Sequence, residues 1–135
     1  MISGINHVTL TVHDLEESFA FYQDVLGFKA LAKRKNQSAY FLAGEEWIAL
    51  VQNPNSTIAD NYAHIAFSVA DENFAEISAR ICDAGAKLWQ ANSSPGKSLY
   101  FLDPSGNRLE IHAGDWKTRI QWLKDNPHPN VEVFI

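Results

Sequence analysis

Two histidines and a glutamate are the residues of this chain best placed to do chemistry. Asn6-His7-Val8-Thr9-Leu10-Thr11-Val12 and Ala63-His64-Ile65-Ala66-Phe67-Ser68-Val69 align without a gap, each with a histidine in second place. Later, Arg108-Leu109-Glu110-Ile111-His112 places a carboxylate between an arginine and another imidazole on one face of an extended segment. A lone strand histidine is usually a hydrogen-bonded structural residue. Two at equivalent points of a repeat can meet across a symmetry axis, where imidazoles make good metal ligands. The first-half counterpart of the glutamate segment, Trp47-Ile48-Ala49-Leu50-Val51, offers no ligand. A twofold arrangement with room for four ligands therefore supplies three: His7, His64 and Glu110. That set suits a divalent ion such as Mn(II), Zn(II), Fe(II), Co(II) or Ni(II), and it leaves coordination positions open for Lewis-acid work.

The elements that must hold these residues also repeat. Apolar and polar residues alternate in both histidine phrases, as in strands with one buried face. After the first phrase Asp14 stands as a helix N-cap, Leu15, Phe19, Tyr22, Val25 and Leu26 recur at helical spacing, and Gly27 ends the run. In the second half Asp71 takes the place of Asp14, Phe74, Ile77 and Ile81 mark the buried stripe of a helix over 71–84, and Gly85 closes it. Three candidate strands follow each helix: 28–32, 38–43 and 47–52, then 87–90, 98–103 and 108–112. Asp103-Pro104-Ser105-Gly106-Asn107 is a strong turn between the last two. The order βαβββ, repeated, predicts an α+β fold of two curved sheets with helices outside and a cleft between. It forms one domain over 1–135, with module one at 1–60, module two at 61–114, and a tail at 115–135 that starts with a helix over 116–124.

Composition narrows the function classes. With a net charge of −5 and a pI near 5.4, the chain has no electrostatic footprint for nucleic acid. The short Lys33-Arg34-Lys35 run reads as a solvated loop. No apolar stretch approaches a membrane span and no signal peptide precedes the first strand, so a cytoplasmic location is expected. Cys82, the single cysteine, excludes a disulfide framework and lacks an activating partner nearby in sequence. His13 and His128 are expected in contact with solvent, and His112 behind the metal ligands rather than among them.

These residues resemble the vicinal oxygen chelate superfamily, and within it the fosfomycin thiol transferases. The resemblance runs through Gly4-Ile5-Asn6-His7-Val8-Thr9-Leu10, Phe21-Tyr22, Leu26-Gly27-Phe28, Tyr62-Ala63-His64-Ile65-Ala66-Phe67, Tyr100-Phe101-Leu102-Asp103-Pro104 and Leu109-Glu110-Ile111-His112. Gly114-Asp115 and Arg119 resemble the glutathione-using branch. The resemblance implies a module-swapped homodimer, with His7 from one subunit and His64 and Glu110 from the other holding a metal, most often Mn(II). It implies a small anionic epoxide as substrate: metal bound to the phosphonate and oxirane oxygen of fosfomycin lets a thiolate, most often that of glutathione, open the ring. Thr9 matches the hydroxyl that assists near the oxirane. Trp47 and Tyr62 match walls of the pocket, Ser94, Ser98, Tyr100 and Arg119 match groups around the phosphonate, and Tyr40 matches a tyrosine on the thiol side.

A potassium site is implied in the loop Asn92-Ser93-Ser94-Pro95-Gly96-Lys97-Ser98, where Asn92, Ser94, Gly96 and Ser98 keep positions able to offer oxygens. The chain departs from the pattern at Gln90, Ser93 and Pro95, which stand where the glutathione-using enzymes carry a lysine, an arginine and a glutamate. Lys97 is the one cation of that loop placed to compensate. Competing readings are a water-using epoxide hydrolase with Glu45 or Glu46 as base, a glyoxalase-type isomerase, and a non-enzymatic drug-binding protein that uses aromatic surface from Trp47, Trp89, Trp116 and Trp122.

Overall fold

The two runs of alternating residues become two four-stranded sheets of identical topology. A computed structural model describes residues 1–135. Module one contains β1 (His7–Val12), α1 (Leu15–Ala20) continued by a π-helical turn at Phe21–Val25, β2 (Lys29–Arg34), β3 (Ser38–Ala43) and β4 (Glu46–Gln52). Module two contains β5 (Ile65–Ser68), a 3-10 turn at Asp71–Asn73, α2 (Phe74–Asp83), β6 (Leu88–Gln90), β7 (Lys97–Leu102) and β8 (Arg108–Ala113), and α3 (Trp116–Asp125) follows. The sheets run β1-β4-β3-β2 and β5-β8-β7-β6, each with one parallel pair between its first and last strands. Register repeats as well: Thr9 pairs with Ala49 and Ala66 with Glu110, while Tyr40 flanks Ala49 as Tyr100 flanks Glu110.

Period-two patterning gives each sheet two unlike faces. One face and the helices form a single core around Val12, Leu15, Tyr22, Phe41, Leu50, Ile81, Phe101 and Leu109, all essentially inaccessible to solvent. The other face of the first sheet carries His7, Thr9, Tyr40, Trp47 and Ala49, and that of the second carries Ser98, Tyr100, Glu110 and His112. Helix α3 buries none of its residues, and Trp116 and Trp122 are exposed on it.

Polar contacts join the modules. Tyr22 Oη donates to Asp103 Oδ2 at 2.7 Å, and that buried carboxylate also accepts from the Ser105 and Asn107 amides and from Asn107 Nδ2. Asn107 Nδ2 also donates to the Thr11 carbonyl at 2.9 Å. Burial first, and the adjacent carboxylate second, push the Tyr22 phenol well above its usual range.

Four expectations change. Asp71 does not cap α2: it sits in the 3-10 turn and pairs with Lys97 at 3.2 Å, so the helix enters without a side-chain cap, unlike α1 with its Asp14–Glu17 bond. His13 is half-buried, donating its amide to Ser105 Oγ and sharing a 2.8 Å bond between Nε2 and the Ser56 carbonyl. Lys33 and Arg34 belong to β2, where Lys33 meets Glu16 and lies over the Phe19 ring. The second histidine phrase is strand only over Ile65–Ser68, so His64 precedes the ladder. No helix is long and apolar enough to cross a membrane.

Candidate metal centre

The second sheet brings His64 and Glu110 together. His64 Nε2 lies 3.1 Å from Glu110 Oε1, with side chains 20% and 8% exposed. Its other nitrogen, Nδ1, is 2.8 Å from the Tyr62 carbonyl oxygen. A carbonyl can only accept, so Nδ1 carries the hydrogen, and with the ring in its neutral form Nε2 turns a lone pair toward a carboxylate that also only accepts. Two facing acceptors are satisfied by a cation between them. Ligand atoms about 2.1 Å from one divalent ion and at right angles about it lie about 3 Å apart, which is the spacing found.

His7 is prepared in the same way on the first sheet. Its Nδ1 donates to Asn6 Oδ1 at 2.7 Å and its ring packs on Trp47 with centroids 4.5 Å apart, leaving Nε2 free on an exposed side chain. Metal-bound histidines commonly hold their second nitrogen on an oxygen in this manner. His7 does not join the other two ligands within one chain, where no three His, Cys, Asp or Glu side chains converge. It lines instead a hollow of about 360 Å³ with Thr9, Tyr40, Trp47 and Ala49. His7 and the His64–Glu110 pair thus stand on two separate sheet faces.

An aromatic wall surrounds His64. Tyr62, Trp89 and Tyr100 stand edge-on to it at 5.1, 5.3 and 6.0 Å. Trp89, which sequence reasoning placed only among possible sticky surfaces, is anchored by its Nε1 donating to the Leu109 carbonyl. Its position directly before Gln90 on a short strand was the available signal. Gln90 Nε2 donates to the Tyr62 hydroxyl at 2.8 Å, so the residue at the lysine position braces the pocket wall. Lys97, the cation of the neighbouring loop, pairs with Asp71 at 3.2 Å on the surface.

The remaining predicted residues divide. Ser98 and Tyr100 lie beside Glu110, and Ser98 Oγ donates to Glu110 Oε2 at 2.8 Å. Ser94 is tied back to Asn92 Oδ1 through both its amide and its hydroxyl, and Asn92 Nδ2 donates to the Gly96 carbonyl. Of the oxygens expected to face potassium, Asn92 Oδ1 and the Gly96 carbonyl thus accept hydrogen bonds within the loop, while the Ser94 hydroxyl donates one. Arg119 lies exposed on the first turns of α3, which is capped by Asp115 accepting from the Thr118 amide and hydroxyl. Those two bonds hold the Asp115 carboxyl below its usual range. Glu45 and Glu46 are exposed, and Glu46 lines a larger cleft of about 720 Å³ together with His7 and Trp47.

Known proteins of similar sequence share this arrangement of elements. The chain is 37% identical over 132 residues to glutathione transferase FosA of Serratia marcescens, covering 95% of this chain and 93% of that protein. It is 35% identical to metallothiol transferase FosB of Staphylococcus epidermidis, covering 98% and 100%. The crystal structure of the fosfomycin resistance protein FosX from Listeria monocytogenes superposes with a TM-score of 0.81 at 30% identity, over 90% of this chain and 99% of that one. A variant of FosX has also been crystallised with Mn(II) and 1S,2S-dihydroxypropylphosphonic acid. Residues 4–111 match the sequence pattern of one family, and with it the paired βαβββ sheets place this chain in the Glyoxalase/Bleomycin resistance protein/Dioxygenase superfamily.

Proposed function

We propose that the protein is a divalent-metal thiol transferase that opens the epoxide of fosfomycin, acting in the cytoplasm with glutathione as the first thiol to test. The observation that carries this reading is the pair of facing acceptors, His64 Nε2 and Glu110 Oε1, with the second histidine nitrogen already committed to a carbonyl. The named relatives add support, being fosfomycin-resistance and thiol-transfer proteins.

The active unit in this reading is a homodimer. His7 of one subunit completes a site whose other ligands, His64 and Glu110, belong to the second. Two open sheet faces and an unburied α3 with exposed tryptophans are surfaces that such a partner would cover. When bound, Mn(II) supplies Lewis acidity at the epoxide oxygen and a counter-charge for the phosphonate. Arg119, Ser94 and Tyr100 orient the anion through charge-assisted and neutral hydrogen bonds. Thr9 donates a hydrogen bond to the oxirane oxygen and keeps its proton. Tyr62, Trp89 and Trp47 exclude water. Tyr40 steers the thiol to the open side. The thiolate sulfur forms a bond to an epoxide carbon, the carbon–oxygen bond breaks, and its electron pair stays on oxygen, which takes up the proton lost by the thiol.

Hydrolysis is the second reading, kept because Glu46 lines the cleft that contains His7 and Trp47. Phosphorus NMR of Mn(II)-loaded protein with fosfomycin separates the two. Glutathione, cysteine and no thiol are compared, each with and without potassium. A metal-dependent thioether establishes thiol transfer and identifies the thiol. A diol formed without thiol establishes hydrolysis. Unchanged fosfomycin in every arm refutes both.

A further inference from the structure

The His112 imidazole is held more closely than its position behind the ligands requires. Its ring sits between two glycines, one from the loop before β7 and one after β8. A Cβ on Gly96 would lie 3.2 Å from His112 Cε1 and 3.0 Å from the Ala113 carbonyl oxygen, and one on Gly114 would lie 2.9 Å from His112 Nε2. Both glycines also have positive φ, +86° and +145°, so a side chain there would be strained as well as crowded. Backbone approaches the ring from two sides, which fixes its plane.

The fixed ring faces Ser98. His112 Nδ1 lies 2.6 Å from Ser98 Oγ, and the same oxygen lies 2.8 Å from Glu110 Oε2. A hydroxyl has one hydrogen. The carboxylate accepts and cannot donate, so that hydrogen goes to Glu110, and the oxygen of Ser98 must accept from His112. The order of donors is then His112 Nδ1–H to Ser98 Oγ–H to Glu110 Oε2. Direct contact between His112 and Glu110, at 3.6 Å, is too long for a hydrogen bond, so the serine is the connecting link.

Glu110 is thereby divided into two unlike oxygens. Oε2 is committed to Ser98, and Oε1 alone faces His64 Nε2. We propose that His112 is a positioning residue that acts through Ser98 to hold Glu110 as a one-oxygen ligand, and that the Gly96 and Gly114 clamp exists to keep it in register. This rests on the metal reading above and deepens it. Because Gly96 ends the loop that carries Asn92 and Ser94, and Ser98 follows it on β7, the same clamp ties the substrate-side loop to the metal carboxylate.

The test measures Mn(II) affinity by EPR on folded, metal-free protein, with melting curves as the fold control. His112→Ala should weaken Mn(II) binding by about 10-fold or more, the usual scale for a partner behind a ligand. His112→Asn should restore most of the affinity, because its amide nitrogen occupies the Nδ1 position, whereas His112→Gln should not. In a Ser98→Ala background His112→Ala should cost nothing further, since the link is already cut. Nitrogen-15 NMR of the metal-free protein should show hydrogen on His112 Nδ1. Unchanged Mn(II) affinity in His112→Ala, equal losses in the Ala and Asn variants, or additive losses with Ser98→Ala would each overturn the proposal while leaving the metal centre standing. A wild-type chain that binds no Mn(II) would instead refute the metal reading, and the ligand-holding role with it.

Discussion

His64 and Glu110 face each other at 3.1 Å, and while the His64 ring is neutral they have no hydrogen to share, because the one on Nδ1 is committed to the Tyr62 carbonyl. The pair is poised for a cation rather than for packing. Neither lies in the apolar core. His64→Ala and Glu110→Gln should each lower Mn(II) affinity by more than the roughly 10–100-fold that outer partners of a metal command, and take turnover to background. Melting temperatures of the metal-free variants should stay close to wild type. Calorimetric Mn(II) titration checks the first expectation, and full activity in either variant would remove that residue from the ligand set.

The separation of His7 from the other two ligands gives a sharper test of the dimer. His7→Ala and Glu110→Ala should be inactive alone. Mixed and refolded together, they should recover about a quarter of wild-type activity, because half of the dimers are mixed and each of those holds one intact site out of two. Inactivity of the mixture would mean that the three ligands come from a single chain.

Tyr22 ties the modules through Asp103, and its loss should be felt as stability. Tyr22→Phe keeps the ring but removes a hydrogen bond to a buried carboxylate, for an expected cost of about 1.5–3 kcal/mol in urea unfolding. The pH dependence has a definite sign. The folded-state phenol titrates above its unfolded value, so its contribution is complete below the usual phenol range and declines as pH rises from there through the raised folded value. The alkaline decline should be shallower in Tyr22→Phe, and identical alkaline profiles would contradict the assigned cause.

Arg119 gives a prediction on binding rather than folding. Arg119→Ala should raise KM for fosfomycin by about 10-fold or more, since a hydrogen bond to a charged group contributes about 1.5–3 kcal/mol. Asp115→Ala should reach the same parameter indirectly, by fraying the first turn of α3. The cap is present above the ordinary carboxylate range and lost as pH falls through the lowered folded value of Asp115. Protection of the Thr118 and Arg119 amides, taken relative to the intrinsic exchange rate at each pH, should therefore fall on acidification in wild type and be low throughout in the variant.

Much of this was legible in the residues themselves. The gapless histidine phrases showed which residues of β1 and β5 share a face, because period two leaves no freedom once one face is buried. Gly27 and Gly85 end their helices with φ of +75° and +83°, as their places after the apolar stripes implied. What escaped depends on long-range pairs with no local period. Tyr22 and Asp103 stand 81 residues apart, and His13 meets Ser56 and Ser105 only after the modules dock. Asp71 looked like Asp14, yet Lys97, far along the chain, captured its carboxylate. Trp89 and Gln90 acquired their roles from Leu109 and Tyr62, which no spacing rule connects to them.

The rung that pairs Thr9 with Ala49 is the same rung that pairs Ala66 with Glu110. The chain therefore carries, in its own second half, a template for the carboxylate its first half lacks. Ala49 is 4% exposed and shares its hollow with His7. A closed four-ligand centre and an open three-ligand one differ at this single address by the size and charge of one side chain.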